Sequence, residues 1–490
     1  MRSLAFSMKR TLSIFIAVLI VFTSFAPCFG SSFDQRLWTD TYLVLDMTTG
    51  DILAESNMNA RMYPASLTKM MTAVITYEYF SQQGRGLQSV VYADEDAVDV
   101  EPTRFGLKYG ESMTVDEALN IMLVMSANDI AVMLAKEVGG TVENFARLMN
   151  QKAAEIGMDS THFVTPNGLH DDDHYSTASD LAKLALYLLD NEYLAGIVAQ
   201  KSYSYAPTNR HEAGEVISTN LLYSDKVSVY VGNLLTKTLY TRGRVFGVKT
   251  GTTPEAGGCF IAAVEKDMTR VLVVILNSRD GEDSYQIERF ADAHKLLDWT
   301  FDNYITKAVY SEGEGYGVIK VKRGEFNKVD TKLSCDVLTT VPLQSPEGYI
   351  TSEYELQESI KAPFEEGTSV GTLKVYRGGE LYGEYDIVTA KAVAKGGILS
   401  VFGIEDAVAH KIFKTIGTVF LVLLILFLML MALRIYNKRK AKKRKAERAR
   451  KRAALEAKRR AEWGDNYDEM MAKLKAEKEK PEIQYYYEKE

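Results

Sequence analysis

Cysteine is scarce in this chain, with only three among 490 residues. Three cysteines are too few for a disulfide framework of the kind that stabilises small secreted domains. Cys28 lies just after the N-terminal apolar run and should be removed with the signal peptide predicted below, whereas Cys259 and Cys335 fall in different predicted domains. We therefore expect Cys259 and Cys335 to be free thiols that are mostly buried.

Metal-binding spacings are also missing from the sequence. No H-E-x-x-H pattern occurs, and the acid- and histidine-rich run from Asp171 to His174 indicates a solvated loop more than a metal site. We predict no metal and no other cofactor. The formal net charge is −7, and because many basic residues are concentrated after residue 434, the part before them is more acidic still. An acidic body argues against nucleic acid as the main partner.

The chain is longer than one domain should be, and its apolar share of 46% is that of a globular protein with a large core. At the N-terminus, Arg2, Lys9 and Arg10 precede an apolar run over 12–26 that small residues follow. This pattern predicts a secretory signal peptide at residues 1–30. An N-terminal membrane anchor is the alternative, which the short apolar core and the small residues after it disfavour.

A second apolar run, residues 415–433, contains no ionisable residue. Its length of about 19 residues is close to the ~20 that cross a bilayer as a helix, and a buried core helix is disfavoured because the run has no polar face. Basic residues follow at once from Arg434, which predicts that the tail at 434–490 is cytoplasmic and the body lies outside the cell. The tail suits an exposed helix, with a membrane-surface helix, disorder or an unknown cytoplasmic partner left open.

The first chemical motif is Ser66-Leu-Thr-Lys69, inside the stretch PASLTKMMTA. A proline followed by Leu and Met predicts a helix that begins here and runs to about Phe80. Ser66 and Lys69 then share a helical face, which makes the serine a candidate nucleophile with an amine beside it. Chance alone supplies about two such S-x-x-K matches in a chain of this length. By itself the motif also fits a helix N-terminus with a solvated lysine.

Two further motifs follow in the chain. Ser126 and Asn128 form an S-x-N element, which we expect on the connection between two apolar helices, the first of them begun by a capping box at Thr114 and Glu117. K-T-G occurs at residues 249–251, where chance predicts only about a tenth of a match. A second S-x-N at 218–220 is set aside because no pair of helices flanks it.

The three motifs, in this order and context, resemble those of the serine-type D-alanyl-D-alanine carboxypeptidases, the low-molecular-mass penicillin-binding proteins of the class A β-lactamase-like superfamily. The resemblance extends from about Asp40 to Gly396. It implies a hydrolase that removes the terminal D-Ala from peptidoglycan stem peptides through a serine acyl-enzyme. β-Lactam antibiotics would inhibit such an enzyme, because they mimic D-Ala-D-Ala.

Roles for the motif residues follow from the chemistry together with the resemblance. Ser66 would attack the carbonyl of the penultimate D-Ala, and Lys69 would accept its proton, which requires a pKa lowered by burial and by positive charge nearby. Ser126 would relay a proton to the leaving D-Ala. The predicted catalytic residues are thus Ser66, Lys69 and Ser126, and the predicted substrate-binding residues are Asn128, Lys249, Thr250, Gly251 and Thr252.

Two other functions remain as hypotheses. A serine β-lactamase needs rapid deacylation, which class A enzymes obtain from a glutamate and a positioned water, and we find no convincing E-x-x-L-N motif in the loop region. The other hypothesis is a non-catalytic wall-binding scaffold whose tail recruits a partner. The intact catalytic motifs argue against it.

The expected fold is α+β. A β-hairpin around Gly50, helices early and late, and strands at about 244–249, 257–265 and 269–277 predict an antiparallel sheet with helices packed on it, a β-lactamase/transpeptidase-like sandwich. K-T-G should end the first of these strands, and a helix at about 284–304 should close the domain. We predict a signal peptide at 1–30, this domain at 31–304, an all-β domain at 305–395, a juxtamembrane segment at 396–414, a transmembrane helix at 415–433 and a cytoplasmic tail at 434–490.

Overall fold

A computed structural model describes residues 33–82, 84–98, 100–231, 234–279 and 287–478. The predicted signal peptide lies outside these described residues. The helices in chain order are α1 (Lys69–Gln82), α2 (Val115–Met125), α3 (Asn128–Gly139), α4 (Val142–Glu155), α5 (Ala178–Asp190), α6 (Glu192–Val198), α7 (Glu288–Asn303), α8 (Asp406–Trp463) and α9 (Tyr467–Lys478). Short 3-10 turns lie at Ala65–Thr68, Glu95–Ala97, Leu221–Tyr223, Ile398–Phe402 and Gly464–Asn466.

The strands follow the same numbering. They are β1 (Thr41–Asp46), β2 (Ile52–Ser56), β3 (Val90–Tyr92), β4 (Ser112–Thr114), β5 (Ser202–Tyr205), β6 (Gly214–Ile217), β7 (Ser228–Val231), β8 (Leu234–Lys237), β9 (Arg244–Thr253), β10 (Gly257–Lys266), β11 (Thr269–Ser278), β12 (Tyr304–Tyr310), β13 (Gly315–Lys322), β14 (Lys328–Leu333), β15 (Val337–Pro342), β16 (Ile350–Leu356), β17 (Ser359–Lys361), β18 (Ser369–Arg377) and β19 (Glu380–Thr389).

A five-stranded antiparallel sheet in the order β2-β1-β11-β10-β9 is the centre of the catalytic region. Alternate residues of a strand face opposite sides of its sheet, and both sides of β11 are buried: Leu272, Val274 and Leu276 join one apolar cluster, and Val271 and Val273 join another. The first cluster contains residues of α1 to α6, and the second contains residues of α7. The sheet therefore carries helices on both faces, and β2 and β9 are its edge strands.

Local sequence signals place several of these elements. Thr114 caps α2, accepting a hydrogen bond from the Glu117 backbone at 3.2 Å, while the Glu117 side chain accepts one from the Thr114 backbone at 3.0 Å. The predicted capping box is thus present. The helix expected at Ser66 instead opens with the 3-10 turn Ala65–Thr68, and its α-helical part begins at Lys69.

Two expectations from the sequence are wrong. K-T-G lies within β9 and not at its end, because the pairing with β10 continues through Thr250, Gly251 and Thr252 to Thr253. Cys259 is fully buried, but Cys335 is exposed because it lies in the turn between β14 and β15, outside any packed face. Both are free thiols, as predicted.

Three two-stranded sheets, β3–β4, β5–β6 and β7–β8, lie between the helices and were not expected. Their strands have only three or four residues each, too short to produce a clear alternating pattern.

The chain forms two compact units. The first includes the central sheet and, after it, the antiparallel pair β12–β15 and the run β16-β18-β19-β14, with a small core of Leu333, Val337, Leu373, Val375 and Ile387. In the second unit, residues 320–322 of β13 pair in parallel with β17. These strands form the C-terminal all-β region expected after about residue 305.

The helix α8 belongs to the second unit and spans 58 residues, about 87 Å at 1.5 Å per residue. The apolar run 415–433 lies inside it with exposed side chains. Within the described part of the chain, this is the one helix long and apolar enough to cross a membrane by length and composition.

Candidate active site

The segment that carries Ser66 is held between a loop and the edge strand. A Cβ on Gly168 would lie 1.9 Å from the carbonyl oxygen of Ala65, and a Cβ on Gly251 would lie 2.9 Å from the backbone nitrogen of Ser66. Only glycine allows such close approaches of two backbones. Ala65 itself has φ 47°, in the left-handed region that alanine rarely adopts. Ser66 is half-buried at this point.

Lys69 is fully buried, and three oxygen atoms surround its amine. Nζ lies 2.7 Å from Ser66 Oγ, 2.7 Å from Asn128 Oδ1 and 2.9 Å from the carbonyl oxygen of Asn167. Burial holds the pKa of Lys69 well below its usual value, and the charge of Lys249 lowers it further, whereas Asp129 opposes the shift. The environment therefore favours a neutral amine, as the sequence-based mechanism requires.

A neutral amine fits these contacts atom for atom. It has two hydrogens and one lone pair, and the two amide oxygens of Asn128 and Asn167 accept the hydrogens. The lone pair is then left for the proton of the Ser66 hydroxyl. The Asn128 side chain is fixed in this orientation because its Nδ2 donates to the carbonyl of Glu101 at 3.2 Å.

Ser126 and Lys249 form a second buried pair. Lys249 Nζ donates to Ser126 Oγ at 2.8 Å and to the carbonyl of Thr250 at 2.9 Å. Ser126 ends α2 with φ 69°, so the chain turns sharply there and places Ser126 and Asn128 on either side of the bend. Burial, and after it the charge of Arg289, lowers the pKa of Lys249 to about 7.

Arg289 in α7 is a functional candidate that the sequence analysis missed. It lies behind the K-T-G edge and donates to the carbonyl of Gly251 at 2.9 Å and to Thr252 Oγ1 at 2.5 Å. Burial lowers its pKa to about 10. No motif marks Arg289 in the sequence, where it is one charged residue in an amphipathic helix. It places a second cation beside Lys249.

The S-x-N pattern that was set aside also lies against this strand. Thr219 Oγ1 is 2.5 Å from Thr250 Oγ1, and Asn220 Nδ2 donates to the carbonyl of Gly247 at 3.2 Å. A 3-10 turn follows this pattern, not a helical pair. Its residues support β9 and do not contact Ser66 or Lys69 in the described structure.

His174 is buried, so the run from Asp171 to His174 is only partly the solvated loop expected from the sequence. Its Nδ1 accepts from the backbone of Val164 at 3.0 Å and Thr165 at 3.1 Å, and its Nε2 lies 2.8 Å from Thr68 Oγ1. Burial lowers its pKa to about 4. This neutral histidine fixes the loop that brings the Asn167 carbonyl to Lys69.

The sequence-predicted site residues therefore meet in one place, at the edge of β9. The family model described as D-alanyl-D-alanine carboxypeptidase matches residues 31–280. The chain belongs to the D-alanyl-D-alanine carboxypeptidase family. It is a serine-type carboxypeptidase, a hydrolase. A second family model, the C-terminal domain of penicillin-binding protein 5, matches residues 304–395.

Individual relatives agree with the family. The D-alanyl-D-alanine carboxypeptidase DacF of Bacillus subtilis is 29% identical over 399 residues, which cover 80% of this chain and 97% of that protein. DacB2 of Mycobacterium tuberculosis, another carboxypeptidase of this name, is 30% identical over 265 residues, covering 53% of this chain and 81% of that protein.

Solved structures are similar in fold. Penicillin-binding protein 5 of Haemophilus influenzae superposes with a TM-score of 0.59 at 26% identity and covers 74% of this chain and 100% of its own. For PBP3 of Streptococcus pneumoniae the TM-score is 0.61 at 22% identity, with 73% and 100% covered; at that identity the likeness concerns the fold alone. The predicted α+β sandwich with a C-terminal all-β domain is confirmed.

Proposed function

We propose that this carboxypeptidase removes the terminal D-Ala of peptidoglycan stem peptides with Ser66 as nucleophile and Lys69 as general base. The observation that carries the proposal is the position of the buried Lys69 amine, 2.7 Å from Ser66 Oγ, with Asn128 and Asn167 accepting its two hydrogens. In this state Ser66 loses its proton to Lys69 as its Oγ attacks the carbonyl of the penultimate D-Ala.

The oxyanion that forms needs preorganised donors. The backbone N–H groups of Ser66 and Thr252 are our candidates, because the close approach of Gly251 to Ser66 brings these two backbone segments together. Collapse of the tetrahedral intermediate breaks the peptide bond and leaves the acyl group on Ser66. Ser126 passes a proton to the amine of the departing D-Ala and takes one from Lys249, whose Nζ donates to Ser126 Oγ at 2.8 Å. Lys249 regains a proton from the water that attacks the acyl-enzyme, and Lys69 returns its proton to Ser66 as the ester breaks.

The carboxylate of the terminal D-Ala belongs at the K-T-G end of the site. Lys249 and Arg289 supply two buried basic groups there, and Thr250 and Thr252 supply hydroxyls. The substrate backbone can lie along β9, because this edge strand is paired only with β10 in the central sheet. Water then hydrolyses the acyl-enzyme.

The direct test compares the wild type with Ser66→Ala for release of D-Ala from an acetylated peptide ending in D-Ala-D-Ala. We expect a loss of at least ~10³-fold. Mass spectrometry after treatment with penicillin should find the acyl adduct on the tryptic peptide that contains Ser66. An intact rate in Ser66→Ala, or an adduct on another residue, would reject this assignment.

The contacts around Lys69 disfavour the β-lactamase hypothesis. A backbone carbonyl, that of Asn167, occupies the loop position next to the amine, and within the described residues no carboxylate is hydrogen-bonded to Ser66 or Lys69. No carboxylate therefore touches these two side chains directly, whereas class A enzymes use a glutamate and a positioned water for deacylation. Fluorescent penicillin should label the protein for long periods; rapid turnover would favour the lactamase.

We also propose the membrane arrangement. Residues 1–30 form a signal peptide, the domains at 31–304 and 305–395 with the segment 396–414 lie outside the cell, residues 415–433 cross the membrane, and 434–490 are cytoplasmic. The long apolar helix α8 and the basic residues directly after its apolar run support this. Protease added to intact spheroplasts should remove the body and spare an epitope at the C-terminus, whereas loss of that epitope would reverse the topology.

A further inference from the structure

The segment 101–107 lies against the N-terminal end of α3 and contains no helix or strand of its own. Two of its carbonyl groups accept hydrogen bonds from Asn128: that of Thr103 from the Asn128 backbone at 2.8 Å, and that of Glu101 from Nδ2 at 3.2 Å. With Nδ2 bound in this way, Oδ1 is directed at Lys69, 2.7 Å away. The orientation of the Asn128 amide therefore depends on where this segment lies.

Asp129, the next residue of α3, holds the other end of the segment. Its Oδ1 accepts from the backbone N–H of Phe105 at 2.9 Å, and its Oδ2 accepts from those of Gly106 and Leu107 at 2.7 and 3.0 Å. Oδ1 also accepts from the backbone of Ile130 at 2.9 Å. All four partners are donors, which suits an ionised carboxylate because it has no hydrogen to give. Asp129 is fully buried, so without it these N–H groups would lack a partner in a place where an unpaired donor is costly.

Asp129 also acts on Lys69 through its charge. Burial lowers the pKa of Lys69 most, the charge of Lys249 lowers it further, and the charge of Asp129 raises it. When Lys69 takes the proton of the Ser66 hydroxyl, it becomes a buried ammonium, and an unpaired buried cation is costly. The anion of Asp129 stabilises that ammonium, because charges interact more strongly away from water.

We propose that Asp129 is a positioning residue for acylation: its carboxylate fastens the segment that orients Asn128, and its charge stabilises the protonated Lys69 that forms as Ser66 attacks. The two effects come from one helix end, because Asn128 and Asp129 are neighbours at the start of α3. The inference rests on the proposed role of Lys69 as general base.

Two substitutions in the full chain in detergent separate fastening from charge. In Asp129→Asn the charge is lost, and the amide nitrogen cannot accept the bonds from Gly106 and Leu107. Asp129→Glu keeps the charge, but the side chain is one methylene longer and the carboxylate cannot keep its place at the segment. Both variants should be acylated by penicillin about tenfold more slowly at the optimum pH, the factor expected when a hydrogen bond to a charged group is lost.

The pH profile distinguishes the proposed role from a general loss of structure. Without the anion the pKa of Lys69 falls, and the neutral base persists to lower pH. The acidic limb of the acylation rate, measured from pH 4 to 9, should therefore move to lower pH in Asp129→Asn and stay at the wild-type position in Asp129→Glu.

Glu111→Gln is the matched control. Glu111 is also a buried carboxylate that accepts from the backbone, from Lys108 at 3.0 Å, and it follows the same segment in the chain. Its charge is not one of the two that act on Lys69. This variant should leave the acidic limb in place.

An acidic limb that stays in place in Asp129→Asn, or a wild-type rate in both Asp129 variants, would overturn the proposal. Hydrogen exchange on the wild type tests the fastening even if Asp129→Asn does not fold: the amides of residues 105–107 should exchange slowly, and rapid exchange would also overturn it. Penicillin labelling that persists in Ser66→Ala would instead reject the proposed mechanism and leave the fastening of the segment as measured by exchange.

Discussion

Lys249 Nζ donates to Ser126 Oγ at 2.8 Å while both residues are buried and Arg289 lies close enough to lower the pKa of the lysine. Two effects oppose each other at this pair. A protonated Lys249 would favour binding of the substrate carboxylate, whereas burial favours the neutral amine. A site of this kind lowers the stability of the fold in exchange for function.

Substitution of Lys249 by methionine should therefore stabilise the protein and abolish carboxypeptidase activity. The pKa of Lys249 is about 7 in the folded state and 10.5 as a free side chain. The unfolded chain thus binds more protons between these values, so the lysine lowers stability most below pH 7, and its effect fades as the pH rises toward 10.5. We expect the free energy of unfolding of the variant to exceed that of the wild type by a few kcal/mol at about pH 6 and by less at pH 9. The variant should accordingly unfold at a higher temperature.

Thermal unfolding of the wild type and Lys249→Met at both pH values measures this. A difference in stability that grows with rising pH would contradict the depressed pKa. Thr252→Val, which changes the same edge without removing a charge, is the matched control and should show no such pH dependence.

Asn128→Asp should shift the acidic limb of the acylation rate to higher pH. The substitution places a carboxylate where Asn128 Oδ1 now lies, 2.7 Å from Lys69 Nζ. An anion at that distance favours the protonated lysine and raises its pKa, so a higher pH is needed to obtain the neutral base.

The second-order rate constant for acylation by penicillin, measured from pH 4 to 9, reports this limb. Asn128→Ala is the control: it should lower the rate without moving the limb as far, because it adds no charge. An unmoved limb in Asn128→Asp would mean that Lys69 is not the group whose deprotonation controls acylation.

The sequence allowed the polar motifs to be found because each is local. Ser66 and Lys69 are one helical turn apart, and Thr114 with Glu117 begins the helix that delivers Ser126. The start of the strand that carries Lys249 was predicted correctly. Its C-terminal end was predicted too early, because the length of the strand depends on its pairing with β10.

Other parts of the site could not be predicted because they depend on tertiary contacts. Arg289 contacts the K-T-G segment from α7, a helix far from it in the sequence. Thr219 contacts Thr250, although it belongs to the S-x-N pattern at 218–220 that was set aside. Asn167 contributes a backbone carbonyl, so no side-chain motif could reveal its role. Cys335 was expected to be buried from the general behaviour of cysteine, but the turn between β14 and β15 exposes it.

Gly168→Ala should damage both stability and activity. Gly168 has φ +81°, and a Cβ would lie 1.9 Å from the Ala65 carbonyl oxygen, so the loop or the nucleophile segment must move. Gly157→Ala separates the effect of the left-handed backbone from the effect of the steric clash, because Gly157 has φ +76° but no atom within 4 Å of its added Cβ. We expect Gly157→Ala to lower stability by about 1–2 kcal/mol through the left-handed conformation alone and to keep full activity.

Rates of D-Ala release, normalised to folded protein by circular dichroism, distinguish the variants. Gly168→Ala should lose activity beyond its loss of folded protein. Equal behaviour of the two alanine variants would mean that the close approach to Ala65 does not position Ser66.

A buried ion pair joins Arg377 in β18 to Asp51, the residue directly before β2. It connects the C-terminal strands of the first unit to the central sheet. Two hydrogen bonds join the guanidinium to the carboxylate, at 2.5 and 2.7 Å, with side-chain exposures of 7% and 9%. Arg377→Met leaves the Asp51 carboxylate buried without its cation, and we expect a loss of about 3–5 kcal/mol.

The exposed pair of Arg244 and Glu265, at 3.0 Å with side-chain exposures of 68% and 30%, provides the comparison. Arg244→Met should change stability by only about 0–1 kcal/mol. Combining Arg377→Met with Asp51→Asn should recover part of the loss, because no charge is then left buried. If Arg377→Met were as mild as Arg244→Met, the ion pair would not hold the C-terminal strands against the sheet. The D-Ala release rate at 25 °C should stay unchanged in all three variants, since none of these residues contacts Ser66, Lys69 or Lys249.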